Sequence, residues 1–73
     1  MTNEEKQLVE RLRKHALEHY EENGWDYVVE AFDDADVLEA IDDARDFDAA
    51  VASLGELVGL LDERRKEVQS TAF

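Results

Sequence analysis

The first third of the chain has the hydrophobic pattern of one amphipathic helix. Its apolar residues recur at intervals of three and four positions, so they share one face at about 100° per residue. These residues are Leu8, Val9, Leu12, Ala16 and Tyr20. Thr2 followed by Glu5 is a capping-box start, and Asn23-Gly24 is a stop signal. The pattern predicts a helix over residues 3–22 with that face buried.

The middle of the chain predicts two short helices with a break between them. The first apolar group consists of Trp25, Val28, Val29 and Phe32. The second consists of Val37, Leu38 and Ile41. Tyr27 to Val29 would also suit a strand, but a lone strand would have nothing to pair with. Because the two groups are about half a turn out of phase, we expect a break near Asp33-Asp34. Either Asp can cap a third helix that ends near residue 44.

The last third has the strongest helical pattern, over residues 47–69. Its apolar residues recur at spacings of four and three, with a gap at Arg65. They are Phe47, Val51, Leu54, Val58, Leu61 and Val68. Asp46 or Asp48 can cap this helix. The whole pattern predicts an all-α fold, a compact three- or four-helix domain with long first and last helices and two short helices between. The expected core is Leu8, Leu12, Ala16, Trp25, Val28, Phe32, Leu38, Ile41, Phe47, Val51, Leu54, Val58 and Leu61.

Length and composition favour one small domain over residues 1–73. A chain of 73 residues buries only about 60% of its unfolded surface. It has no Cys, so a disulfide or a thiolate metal site is excluded. It has no apolar run approaching the roughly 18 residues of a membrane span, and the N-terminus lacks the features of a signal peptide. We therefore expect a soluble, cytoplasmic protein.

The negative charge is concentrated in the middle of the chain. The formal net charge is −12. Residues 25–48 contain ten acids and one base, a net charge of −9, whereas residues 1–24 carry −2 and residues 49–73 carry −1. Direct binding to nucleic acid or to an anionic membrane requires positive surface, so neither is expected.

Five carboxylates of the expected third helix form a candidate partner-binding surface. If residues 35–46 are helical, four of the five carboxylates fall within about 80° of one another around the helix axis, and Asp42 lies beside them. The five residues are Asp36, Glu39, Asp42, Asp43 and Asp46. Three interpretations remain open: a solvated face, a docking surface for a protein partner with a basic surface, and a DNA mimic. Adaptation of a whole proteome to salt would also explain the acidity.

Two patterns suggest metal chemistry and are weighed against simpler explanations. His15 to His19 matches the H-x-x-E-H zinc-peptidase motif, in which two imidazoles one turn apart bind the metal. Both histidines share the side of the helix occupied by Leu8 and Leu12, so we expect them at the edge of the core. The Asp-rich segments fail the calcium-loop template, because Glu39 stands where Gly is required. We expect no catalytic residues, no metal site and no cofactor.

Gly55 and Gly59 form a G-x-x-x-G pattern in the last helix, with Ala52 one turn earlier. Each Gly in a helix interior costs about 1 kcal/mol relative to Ala. A close contact should therefore compensate for this cost. The alternatives are packing within the chain, against another helix or the ring of Trp25, and the seam of a homodimer.

The segments HYEENGWDYVVEAFDDADVLEAI and AAVASLGELVGLLDERRKEV resemble small uncharacterised proteins of actinobacteria and their phages. The resemblance covers most of the chain and carries over no functional residue. It implies a small accessory protein that binds a host or phage protein. Together with the acidic surface, it leads us to expect a non-enzymatic protein-protein interaction module, with a DNA-mimic inhibitor of a DNA-binding protein as the alternative.

Overall fold

The protein folds into four helices in a computed structural model that describes residues 1–32 and 36–71. The helices are α1 (Asn3–Glu22), α2 (Asp26–Ala31), α3 (Asp36–Asp42) and α4 (Phe47–Thr71). The expected all-α fold, with long first and last helices and two short helices between, is confirmed. The expected break at Asp33-Asp34, and the capping role of either Asp, lie outside the described residues.

The start of α1 has the capping box that the sequence predicts. The Glu5 backbone N–H donates to the Thr2 hydroxyl at 3.1 Å, and the Thr2 backbone N–H donates to the Glu5 carboxylate at 3.2 Å. These two bonds satisfy backbone donors that the first helical turn leaves without an intrahelical partner. The beginning of α1 is therefore determined by local sequence.

A glycine turn ends α1 and directs the chain into α2. The Gly24 N–H donates to the Glu21 carbonyl at 3.0 Å, and the Trp25 N–H donates to the Tyr20 carbonyl at 2.8 Å. This pair of bonds is a Schellman motif, in which the residue that donates the first of the two bonds adopts a left-handed conformation. Gly24 supplies it with φ of 78°. The turn brings Trp25 back towards the end of α1.

Helix α4 packs against each of the other three helices. Arg13 of α1 contacts Asp42, which ends α3 shortly before α4 begins. Farther along both long helices, Tyr20 of α1 contacts Asp62 of α4. Helices α1 and α4 therefore run in the same general direction, and α2 and α3 return the chain between them.

Within the described residues, eight buried side chains, drawn from all four helices, form the core. They are Val9, Tyr20, Val28, Ile41, Ala50, Leu54, Leu57 and Leu61. The predicted core residues Trp25, Phe32, Leu38 and Phe47 are partly buried against this cluster. Four predictions are wrong, because the side chains are substantially exposed: Leu8 (39%), Leu12 (43%), Val51 (42%) and Val58 (37%).

Three of these errors concern a residue next to a buried one. Leu8 is adjacent to the buried Val9, and Val58 is adjacent to the buried Leu57. Neighbouring residues are separated by about 100° around a helix, so only one of each pair can point into a narrow core. In α4 the buried row includes Ala50, whose small side chain permits close approach of neighbouring helices but gives little hydrophobic signal.

Two Leu-to-Ala substitutions, one at a buried and one at an exposed position, test which side of each long helix is buried. Replacing the fully buried Leu57 with Ala should lower the free energy of unfolding by about 2 to 5 kcal/mol, through lost burial and the cavity left behind. Leu12→Ala removes the same atoms from an exposed position, so we expect a loss below about 1 kcal/mol. Urea denaturation followed by circular dichroism measures both. Equal losses would contradict the observed core.

Candidate protein-binding surface

The five predicted carboxylates lie on and just after α3. Asp36, Glu39 and Asp42 belong to the helix, whereas Asp43 and Asp46 follow its end at Asp42. The third helix, predicted to end near residue 44, ends at Asp42. The condition of a helix over residues 35–46 is therefore not met at its C-terminal end, because the chain turns there to enter α4. We refer to the five carboxylates as the acidic face.

Two members of the acidic face have structural roles inside the chain. Asp42 accepts a hydrogen bond from the Arg13 guanidinium at 2.8 Å, which joins α3 to α1. Asp46 accepts from the Ala49 backbone N–H at 2.8 Å. This is the N-cap arrangement for α4, and it confirms the predicted capping role of Asp46. The Arg13 pair is at the surface, where such pairs contribute at most about 1 kcal/mol.

The other three carboxylates are available to solvent. Asp36, Glu39 and Asp43 are exposed, and their side chains form no hydrogen bond or ion pair with any part of the chain that the structure describes. No cationic side chain of the described residues pairs with these three carboxylates. They are the part of the acidic face that a partner can reach without breaking a contact of the fold.

A groove between α1 and α3 borders the acidic face. Its apolar lining consists of Met1, Val9, Ile41 and Ala44. Asp42 and Asp43 lie along the same groove, together with Lys6 and Glu10. Carboxylates and an apolar depression therefore adjoin on this side of the molecule, and the apolar component was not predicted from the sequence.

The two histidines of the H-x-x-E-H pattern are both exposed on α1. Glu18, which would be the base of that motif, lies 3.8 Å from Lys14. Within residues 1–32 and 36–71, no three His, Cys, Asp or Glu side chains are grouped closely enough to hold a metal ion. The His19 ring instead packs edge-on to Tyr20, with the ring centroids 5.3 Å apart.

The G-x-x-x-G face of α4 has no close neighbour within the described part of the chain. A Cβ at Gly55 or Gly59 would meet no other atom within 4 Å, apart from adjacent residues and the backbone of its own helix. Ala52 is also exposed. The structure thus shows neither a close helix nor the Trp25 ring against these glycines, and the homodimer seam stays a proposal.

A polar and aromatic cluster that joins α1 to α4 was missed in the sequence. The Tyr20 hydroxyl, on a side chain only 3% exposed, donates to Asp62 at 2.5 Å. The Arg65 guanidinium carbon lies 4.8 Å from the centroid of the Trp25 ring, a cation–π contact. Arg65 Nε is 3.9 Å from Asp62, too far for a hydrogen bond. The gap at Arg65 in the apolar pattern was the one signal of this cluster.

The environment of Tyr20 favours its neutral form. Burial of the phenol raises its pKa, and the hydrogen bond to the Asp62 carboxylate and the negative charge of that group raise it further, to about 12. The hydroxyl is therefore a hydrogen-bond donor at neutral pH. Its role in this cluster is to hold the end of α1 against α4.

Comparisons with protein-family models, curated proteins and solved structures find no match to this chain. Within the described residues, no helix combines the length and the apolar character needed to cross a bilayer. A function must therefore be inferred from the surfaces of the molecule.

Alkaline titration tests the Tyr20 contact. In a Tyr27→Phe background, Tyr20 is the only tyrosine and its ionisation can be followed by ultraviolet absorbance. Because the pKa is raised in the folded state, stability is complete below about pH 10 and decreases as the pH rises towards 12. Adding Asp62→Asn should lower the ionisation midpoint, since the nearby negative charge is removed. An unchanged midpoint in a folded variant would contradict the assigned contact.

Proposed function

We propose that this protein is a non-enzymatic interaction module that binds a basic protein partner through the acidic face. The observation that carries the proposal is the exposure of Asp36, Glu39 and Asp43 without ion pairs in the described chain. Lys or Arg side chains of a partner would supply the missing cations. Complementary charge of this kind accelerates association and discriminates against wrong partners.

The adjoining groove supplies a second element of recognition. Protein interfaces generally combine a buried apolar centre with a polar rim. Here the apolar lining around Ile41 and Ala44 would receive an apolar side chain, while the carboxylates would bind the basic residues around it. The partner surface that fits is therefore basic with an exposed apolar residue, rather than uniformly positive.

The DNA-mimic alternative has less support. A mimic must present an extended series of free carboxylates in place of phosphates. Asp42 is already paired with Arg13, and Asp46 caps α4. These contacts leave three free carboxylates in the acidic face, and no further observation favours mimicry of a duplex.

The setting that we propose is the cytoplasm of an actinobacterium, with a host or phage protein as the partner. This setting follows from the sequence resemblance alone. It determines which lysate is used to find the partner and does not enter the argument from the surface.

Two variants with equal net charge test the proposal. The first carries Asp36→Asn, Glu39→Gln and Asp43→Asn, and the control carries Glu22→Gln, Glu56→Gln and Glu63→Gln. Each variant changes the formal charge from −12 to −9. Affinity capture from an actinobacterial lysate identifies the partner. Binding to the purified partner should then weaken tenfold or more for the first variant, about 1.4 kcal/mol, and little for the control.

Circular dichroism must show that both variants fold, because Asp36 and Glu39 also interact favourably with the N-terminal end of α3. Equal loss of binding in the two variants would show a general charge effect and contradict docking at the acidic face. Displacement of the partner by duplex DNA, with the partner being a DNA-binding protein, would support the mimic instead.

A further inference from the structure

Exposed apolar side chains are concentrated on the two long helices. The described residues contain five large hydrophobic side chains with substantial exposure: Leu8, Leu12, Tyr27, Val51 and Val58. Four of the five belong to α1 and α4. Among the described residues, whose core has eight buried side chains, these four half-buried aliphatic side chains are the candidates for a shared apolar patch.

On α1, the exposed leucines lie on the flank that faces away from α3. Leu8 and Leu12 are roughly 60° to 100° to one side of the buried Val9. Arg13 lies on the opposite side of Val9, and it contacts Asp42 at the end of α3. The end of α3 therefore lies on the Arg13 side of α1, and the two leucines occupy the other side.

On α4, the exposed valines lie on the flank beside α1. Val51 and Val58 are on the same side of this helix as Asp62, which accepts the hydrogen bond from Tyr20 of α1. The opposite flank, with Leu60 and Arg64, lies beside α2. The leucines of α1 and the valines of α4 thus border one shared groove, which we name the α1–α4 groove.

The α1–α4 groove lies outside the most acidic segment of the chain. The region rich in acids, residues 25–48, carries −9, whereas residues 1–24 carry −2. The Arg13–Asp42 pair places the end of α3 on the opposite side of α1 from the groove. Gly55 lies between Val51 and Val58 on the helix surface and has open space above it, so another helix can come close.

The charges beside the leucine row are also self-complementary. Arg11 precedes Leu12, and Glu18 lies two turns farther along the same side of α1. A twofold axis crossing α1 near its middle, between Lys14 and His15, would bring Arg11 of each copy close to Glu18 of the other. Such isologous pairing is the common arrangement in homodimers.

We propose that the α1–α4 groove is the interface of a homodimer. The exposed apolar area is small compared with the roughly 800 Å² that each partner buries in a standard interface. Association is therefore weak, with a dissociation constant between about 1 μM and 1 mM. This inference is independent of the acidic face, which lies on the other side of α1 and remains accessible in the dimer.

Sedimentation equilibrium over a range of protein concentrations tests the proposal. The natural chain should pass from monomer to dimer below about 1 mM. Leu12→Gln and Val51→Gln should each weaken dimerisation tenfold or more. Tyr27→Gln is the matched control, because its exposure of 42% equals that of Val51 and it lies on α2, outside the groove. A monomer throughout, or equal weakening in all three variants, would overturn the proposal.

A measurement on the natural chain removes any dependence on how the variants fold. Amide chemical shifts recorded at low and high protein concentration should change along Leu8, Leu12, Val51 and Val58, and remain constant along α3. Changes centred on α3 would overturn the proposal. The acidic-face variant described above should dimerise at least as strongly as the natural chain, because its lower negative charge reduces the repulsion between copies. Failure of the homodimer proposal can therefore be distinguished from failure of the proposed partner binding.

Discussion

Burial of one face of α4 is the constraint on which the rest of the structure depends. Helices α1, α2 and α3 all pack against it, and four of the eight core residues belong to it: Ala50, Leu54, Leu57 and Leu61. Neither short helix would be stable alone, because isolated helices need about 12 to 15 residues even in favourable sequences. Their contact with α4 compensates for the cost of ordering them.

The carboxylates of this acidic chain divide into those the fold uses and those it leaves free. Asp42, Asp46 and Asp62 bind a guanidinium, a helix N-terminus and a buried phenol, respectively. Each of these contacts joins or begins a helix. Asp36 and Glu39 make no such contact in the described chain, although placing them one turn apart costs a few tenths of a kcal/mol. A small group of free carboxylates is thereby distinguished, as a candidate surface, from the overall excess of negative charge.

The two proposed surfaces are separated by the fold itself. The acidic face lies on and just after α3, on the Arg13 side of α1, whereas the exposed leucines of α1 and the exposed valines of α4 lie on the other side of α1. A weak homodimer would therefore present two acidic faces on its outside. If both proposals hold, a partner with two basic sites would bind the dimer with greater avidity than the monomer.

The sequence by itself determined the helical segments, both ends of α1 and the start of α4. Thr2, Gly24 and Asp46 act within one or two turns of their own position, through caps and a left-handed turn, so local chemistry was sufficient to predict them. Only the tertiary structure decided which side of each long helix is buried. Leu8 and Val9, like Leu57 and Val58, are adjacent residues of similar hydrophobicity, and the choice between them depends on where the other helices lie. The Tyr20–Asp62 contact spans 42 positions, and periodicity along one helix contains no information about such a distance.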